Sequence, residues 1–494
     1  MSLLSSVSGG TFTAVKYAIS LVEELSFSEF FDEYYRLLRD TPLLALTTDM
    51  LSSGKLQRPS GRATLIIAAS ECYSQHLFCD PKGKPYLLGD LTGELSKKSH
   101  LKEAIFNATE FQSGLSFRFP VTQNKKVRNG NGLVSIPYEE AQKLRLGDIV
   151  AASSCFPGGF EPLVFPQDFH WDGSVPQAVS NRVGTDIALM DGGVFDNQGI
   201  QSLMDADKRL ADDLDFIILA DVAQDRVPLY EISKTTQRWN FTLGQVHTAA
   251  FFLFGACLMT FALMARALFT TPDLNWFHHL FEQLLPALLA LVTASVLWQV
   301  RSLFRNEVLA KIPKAAVTWD DFASLRISQV LEMNELRLTS LMSLSSDVFM
   351  KNMRRLIYEK FFGAAEFKTR RVSCLISKLL RPCDDPLVAP VSAQLKKVLV
   401  SAEAVPTRLW WESESPHQQK DLVVAGQFSL CRGLLNYYQR LQEQERVLSP
   451  EVEVLRNCLR KDWQILCDTP YQLLETHSAA SSSESQRRVS SAHS

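Results

Sequence analysis

The chain has 494 residues, 46% hydrophobic and 21% charged, which suits two or three folded units and excludes disorder throughout. Fifty-one Lys and Arg stand against 54 Asp and Glu, so no net positive field exists to hold nucleic acid. Nine cysteines without a C-x-x-C pair, scattered over a long chain, read as reduced thiols and not as a secreted disulfide framework.

The N-terminus, MSLLSSVSGGTF, lacks the basic n-region and long apolar h-region of a signal peptide, so export by that route is not expected. Residues 1–225 alternate between strand and helix patterns. A short apolar run before Ser8 leads into a helical pattern in which Val15, Ala18, Ile19 and Val22 share one face. Strands are predicted at TLIIAAS from Thr64, AIFNATEF from Ala104 and DFIILADV from Asp215. The alternation predicts an α/β fold.

Residues 226–316 read as an insertion. His247 to Ala265 is an uncharged run of 19 residues and Leu284 to Val300 one of 17, lengths that approach the ~30 Å of a hydrocarbon core. Trp298 stands at an interfacial position, TTPDLNWFHH separates the runs, and Lys234, Arg238, Arg301, Arg305, Lys311 and Lys314 flank the pair. The expectation is a transmembrane helical hairpin with both flanks cytoplasmic. A buried helical hairpin is the bland alternative. Residues 317–476 read as a helical and mixed part, with a long helical pattern from Asp320 to Phe362, and 477–494 as a low-complexity disordered tail.

Ser6-Val7-Ser8-Gly9-Gly10 lies where the first apolar run turns into a helix, which is the setting of a nucleophile elbow. Small residues there relieve a tight turn, and the helix that follows points its positive end at a developing oxyanion. The string alone is weak, because a relaxed version occurs about 0.5 times by chance in a chain of this length. Asp191-Gly192-Gly193, at the end of the strand pattern Ile187-Ala188-Leu189-Met190, has a chance frequency of about 0.1. Two glycines let an aspartate at a strand end approach another backbone, although Asp-Gly is also ordinary turn punctuation. Together they make a candidate dyad, Ser8 as nucleophile and Asp191 as general base.

These residues resemble the patatin-like phospholipases, lipid acyl hydrolases with a Ser-Asp dyad on an α/β sheet. The matching stretches are SSVSGGTF, FNATEFQSG from Phe106, AASSCFPGGFEPL from Ala151 and LMDGGVFDNQG from Leu189, with PTRLWWE from Pro406 and VVAGQFSLCRGLLNY from Val423 similar to bacterial members. The resemblance covers residues 1–225 and 317–445 and implies a three-layer sheet with flanking helices, the 317–476 part completing the core, Ser8 as nucleophile, Asp191 as base and the Gly9 amide as an oxyanion donor. It implies a membrane lipid as substrate and no metal or organic cofactor. The family places a strand and a glycine-rich oxyanion loop ahead of the nucleophile, and only seven residues precede Ser8. That difference raises two expectations, a start downstream of the natural one or an impaired membrane scaffold that keeps the fold.

Other constellations are weaker. A Ser-His-Asp triad in the usual order needs a histidine after Asp191, and His247, His278 and His279 lie at the apolar hairpin, His417 in a polar loop and His477 and His493 in or beside the tail. His278, His279 and Glu282 have metal-compatible spacing without a fourth ligand. Lys125-Lys126-Val127-Arg128 before Asn129-Gly130-Asn131-Gly132 reads as a charged hairpin tip, solvated or set against anionic headgroups. Trp410 and Trp411 read as core aromatics. The combined expectation is a membrane-associated serine lipid acyl hydrolase working through an acyl-enzyme.

Overall fold

The computed structural model describes residues 1–184, 186–209, 214–222, 241–270, 281, 284–303, 348–405, 416–444 and 447–476, with 324, 326, 340, 341, 343 and 344. The chain divides into two compact units, Met1–Leu229 with Leu344–Ser494, and Tyr230–Ser343.

In the first unit β1 (Leu3–Val7) runs straight into α1 (Gly9–Val22). Four further helices follow before the next strand: α2 (Phe27–Asp40), α3 (Leu43–Ser52), α4 (Leu65–Cys72) and α5 (Leu88–Lys98). Helix α2 starts at a capping box, where Ser26 Oγ accepts the Glu29 amide and the Glu29 carboxylate accepts the Ser26 amide. Helix α4 corrects the sequence reading, which predicted a strand at TLIIAAS. Ile66 to Ser70 are all buried, and a run that is apolar on every side carries no period to separate a buried strand from a buried helix.

The sheet is built on β2 (Glu103–Glu110) and β3 (Leu115–Val121), followed by β4 (Asn129–Gly130) and β5 (Ser135–Ile136). Helices α6 (Tyr138–Ala141) and α7 (Leu146–Ser154) precede β6 (Leu163–Phe165). Then come α8 (Gln177–Val183), β7 (Ile187–Asp191), α9 (Gly193–Asp196) and α10 (Ile200–Arg209). One path through the seven-stranded sheet runs β5-β4-β3-β2-β7-β6, and β1 joins it on β2. Only the β1–β2 pair is parallel; the others are antiparallel. The strand period of two sorts β2 between the faces. Ala104, Phe106 and Ala108 join the large core with α1, α4 and α7. On the other face Ile105 packs with Ala206 of α10, and Glu103 and Asn107 bond Arg209 and Ser202 of the same helix. The observed class is therefore mixed helix and sheet, with helices on both faces.

Strand β8 (Ile217–Asp221) pairs in parallel with β9 (Arg371–Leu375), 154 residues later by the register Ala220↔Cys374 and its neighbours. Arg370 donates to both oxygens of the buried Asp207 carboxylate at 3.1 and 2.8 Å. The later segment thus completes the first unit. In the second unit α11 (Leu243–Thr270) and α12 (Leu285–Leu303) lie side by side. The rings of Phe254, in the first half of α11, and Trp298, near the end of α12, are 5.7 Å apart, so the pair is antiparallel. Phe252, Met259, Leu263, Leu289 and Val292 are exposed on it. Among the described residues no helix is long and apolar enough to cross a membrane, so the two-span expectation finds a helical hairpin and no described span.

Beyond it, in the first unit, stand α13 (Phe349–Gly363), α14 (Ala393–Glu403), α15 (Pro416–Glu443) and α16 (Pro450–Asp468). The last three bury a second core around Phe428 and Trp463. Most of the predicted Asp320–Phe362 helix, the connection 271–280, the basic flanks at Lys234, Arg238, Arg305, Lys311 and Lys314, Trp410 with Trp411, and the tail 477–494 lie outside the described residues.

Candidate active site

Strand β2 assembles the site. Its one edge is shared end to end, β1 lying along residues 103–107 in parallel and β7 along 108–110 antiparallel. The two strands approach head-on, so both C-terminal ends meet at the junction where Val7 faces Asn107 and Asp191 faces Ala108. Ser8 and Asp191, 183 positions apart, are thereby neighbours, and Ser8 Oγ donates to Asp191 Oδ2 at 2.5 Å.

Ser8 has to reverse the chain from strand to helix in one residue. Its φ is 52° and ψ −131°, a left-handed conformation that costs a non-glycine residue about 1–3 kcal/mol. Buried hydroxyls hold it there. Its amide donates to Ser153 Oγ at 3.1 Å, while that hydroxyl donates to the Asn107 carbonyl at 2.7 Å and lies 2.8 Å from Thr11 Oγ1. Thr11 Oγ1 in turn is 3.2 Å from Ser6 Oγ. The Asn107 side chain pins the same strand end, donating to Ser5 Oγ and the Ser6 carbonyl.

The glycines divide into two kinds. A Cβ at Gly192 would sit 2.3 Å from the Asn107 carbonyl oxygen, so β7 reaches β2 this closely only with glycine there. At Gly9 and Gly10 an added Cβ would meet nothing within 4 Å. This corrects the expectation that crowding selects small residues at the elbow: these two leave the approach to Ser8 open. Their amides lead the first turn of α1, where no preceding helical carbonyl takes them, and Gly9 stands where an oxyanion donor is expected.

Asp191 is 2% exposed. Its Oδ1 accepts the Gly193 amide at 2.7 Å and its Oδ2 the Ser8 hydroxyl. Burial pushes its carboxyl up to about 6, against the pull of those two donors, so at neutral pH the group is ionised and basic enough to take a hydroxyl proton. The neighbouring Cys155 thiol is raised by burial and further by the Asp191 charge, which keeps it protonated and inert.

No histidine hydrogen-bonds Asp191 among the described residues. His170 lies instead against Arg58, with Nδ1 3.1 Å from the guanidinium; burial, then Arg145, holds its imidazole below the ordinary value. His278, His279 and Glu282 lie outside the described residues, and among those described no group of three or more ligating side chains gathers. Sequence reading missed Ser153 and Asn107 as supports. The signal available was polar residues within apolar stretches, Asn107 in AIFNATEF and Ser153 in IVAASSCF. Comparison of the chain with family models, with characterised proteins and with solved structures finds no match in any of the three.

Proposed function

We propose that the protein is a serine acyl hydrolase of the patatin-like type acting on membrane lipid esters. The observation that carries the reading is a serine hydroxyl, on a left-handed strand-to-helix turn, donating to a buried carboxylate that has no cation among its hydrogen-bond partners. In this reading Asp191 takes the proton as Ser8 Oγ attacks the ester carbonyl, and the tetrahedral oxyanion is met by the Gly9 amide. Asp191 returns the proton to the departing alcohol, leaving an acyl-serine. A water, deprotonated by Asp191, then attacks the acyl carbon, releasing the fatty acid and the serine hydroxyl. The scheme uses no cofactor.

The lipid substrate and the membrane setting are supported by the second unit. An antiparallel helix pair with Phe252, Met259, Leu289 and Val292 exposed leaves an apolar surface that water disfavours, and attachment of such a pair to a bilayer raises the local concentration of a lipid substrate. We assign the flanks of the hairpin, and with them the catalytic part, to the cytoplasmic face. The test is fluorophosphonate labelling of the detergent-extracted full chain, followed by lipid ester hydrolysis. Labelling lost in both Ser8→Ala and Asp191→Asn, each folded by circular dichroism, supports the dyad. A folded wild-type chain that does not label sinks the hydrolase reading and leaves a silent scaffold. Extraction of the chain from membranes by alkaline carbonate would overturn the membrane assignment.

A further inference from the structure

The basic run at Lys125–Arg128 lies in the loop joining antiparallel β3 and β4, around a turn closed by the Val127 amide on the Asn124 carbonyl, in keeping with the charged hairpin tip expected from the sequence. There Lys126 and Arg128 line a cavity of about 440 Å³ together with Arg118 of β3 and Arg209 of α10. Four cations line it together with the carboxylate of Asp205. Arg118 pairs with Asp205 at 2.7 Å and Arg209 with Glu103 at 2.7 Å. Arg128 uses one nitrogen on the Asn131 carbonyl, and Lys126 makes no ion pair among the described residues. The Nε–H of Arg118 is buried without a partner among the described residues, an expensive omission unless something else accepts from it. A further carboxylate near the rim, Glu110, is engaged by Ser113 and Asn131.

The cavity reaches toward the reactive end of the sheet. Phe195 of α9, in its lining, has its amide on Thr109 Oγ1, which itself donates to the Asp191 carbonyl. Because β3 and β4 pair antiparallel at Arg118 and Gly130, the chain after Gly130 runs toward Leu115. Exposed Leu115 lines the charged cavity at that end, and Pro120 and Val127 add apolar surface to its wall. Cations that bind phosphate oxygens, bordered by apolar side chains that enter the acyl boundary, match a headgroup and its glycerol better than a free ion.

We infer that the Arg118–Lys126–Arg128–Arg209 cavity binds the phosphate of an anionic lipid headgroup. The inference deepens the hydrolase reading by naming the headgroup class, and it is tested on binding alone. Full-length protein carrying Ser8→Ala, in neutral detergent, is titrated with dihexanoyl phosphatidate, dihexanoylglycerol and inorganic phosphate. Phosphatidate is expected to bind at least ten-fold more tightly than dihexanoylglycerol, with affinity falling as salt rises. Lys126→Gln with Arg128→Gln, both at exposed positions, should weaken it roughly ten-fold. Equal binding of phosphatidate and dihexanoylglycerol, or an unchanged affinity in the folded double variant, overturns the site. Inorganic phosphate binding as tightly as phosphatidate overturns the lipid assignment in favour of a free-phosphate site. A failed titration leaves Ser8 labelling intact, and failed labelling leaves the titration intact, so the two readings fall separately.

Discussion

Asp191 and Asp385 are both 2% exposed, yet the protein uses them in opposite ways. Asp385, in the C-terminal helical region, lies within 3.2 Å of Arg456 and 3.1 Å of Arg460. Burial pushes its carboxyl up, but the Leu387 amide and the two guanidinium groups pull harder, and it ends below the ordinary value. Asp191 is more deeply enclosed and has only a hydroxyl and an amide to offset that, so it ends at about 6. Two carboxyls of equal exposure thus end on opposite sides of the ordinary value, low where arginines are present and high where they are absent.

The largest effect is expected from replacing the Asp191 carboxylate. Asp191→Asn should lower the fluorophosphonate labelling rate by at least ~1,000-fold, on the scale of losing a catalytic base, and should also raise stability at pH 8. The sign follows from linkage. A carboxyl raised to about 6 when folded holds its proton more tightly than in the unfolded chain, so stability falls as pH rises from about 4 to 6. The deficit above that window is at most ~3 kcal/mol, and the variant should recover part of it, read as a higher Tm at pH 8 and no gain at pH 4. A variant that labels normally, or loses stability at pH 8, contradicts the role given to Asp191.

Next in size is Gly192→Ala, whose Cβ would press on the Asn107 carbonyl. It should push the β7 end off β2 and slow labelling about 100-fold, a cost typical of a small misplacement of reacting groups. Ser153→Ala removes the acceptor of the Ser8 amide and should lower kcat about ten-fold with little change in KM; an equal rise in KM would mean that the hydroxyl serves binding. Asp385→Ala should leave labelling below the melting transition unchanged while costing about 3 kcal/mol, because two arginines lose their counter-charge. A labelling defect in that folded variant would erase the distinction between the two aspartates. The pH profile sharpens it most finely: wild-type labelling should climb as pH passes about 6 and then level, and the Asp385→Ala profile should overlie it.

Local pattern reached several elements. The short apolar run before Ser8, AIFNATEF and DFIILADV became β1, β2 and β8, and Val15, Ala18 and Ile19 became the buried stripe of α1. It failed at α4, where apolar residues on all sides left no period to read. It also left β4 and β5 unread, because two-residue strands at Asn129–Gly130 and Ser135–Ile136 are too short to show alternation.

For the site, residue types and local turns were set by the chain itself. Ser8 between Val7 and two glycines, and Asp191 before two more, specify a nucleophile-like turn and a close-approach loop from local sterics alone. Which serine meets which aspartate was decided only in three dimensions, by β1 and β7 meeting end to end along one edge of β2. The same holds for the value of the carboxylate. Burial and the lack of a paired cation belong to no short stretch of sequence; they arise from what the fold packs around Asp191 and what it leaves out.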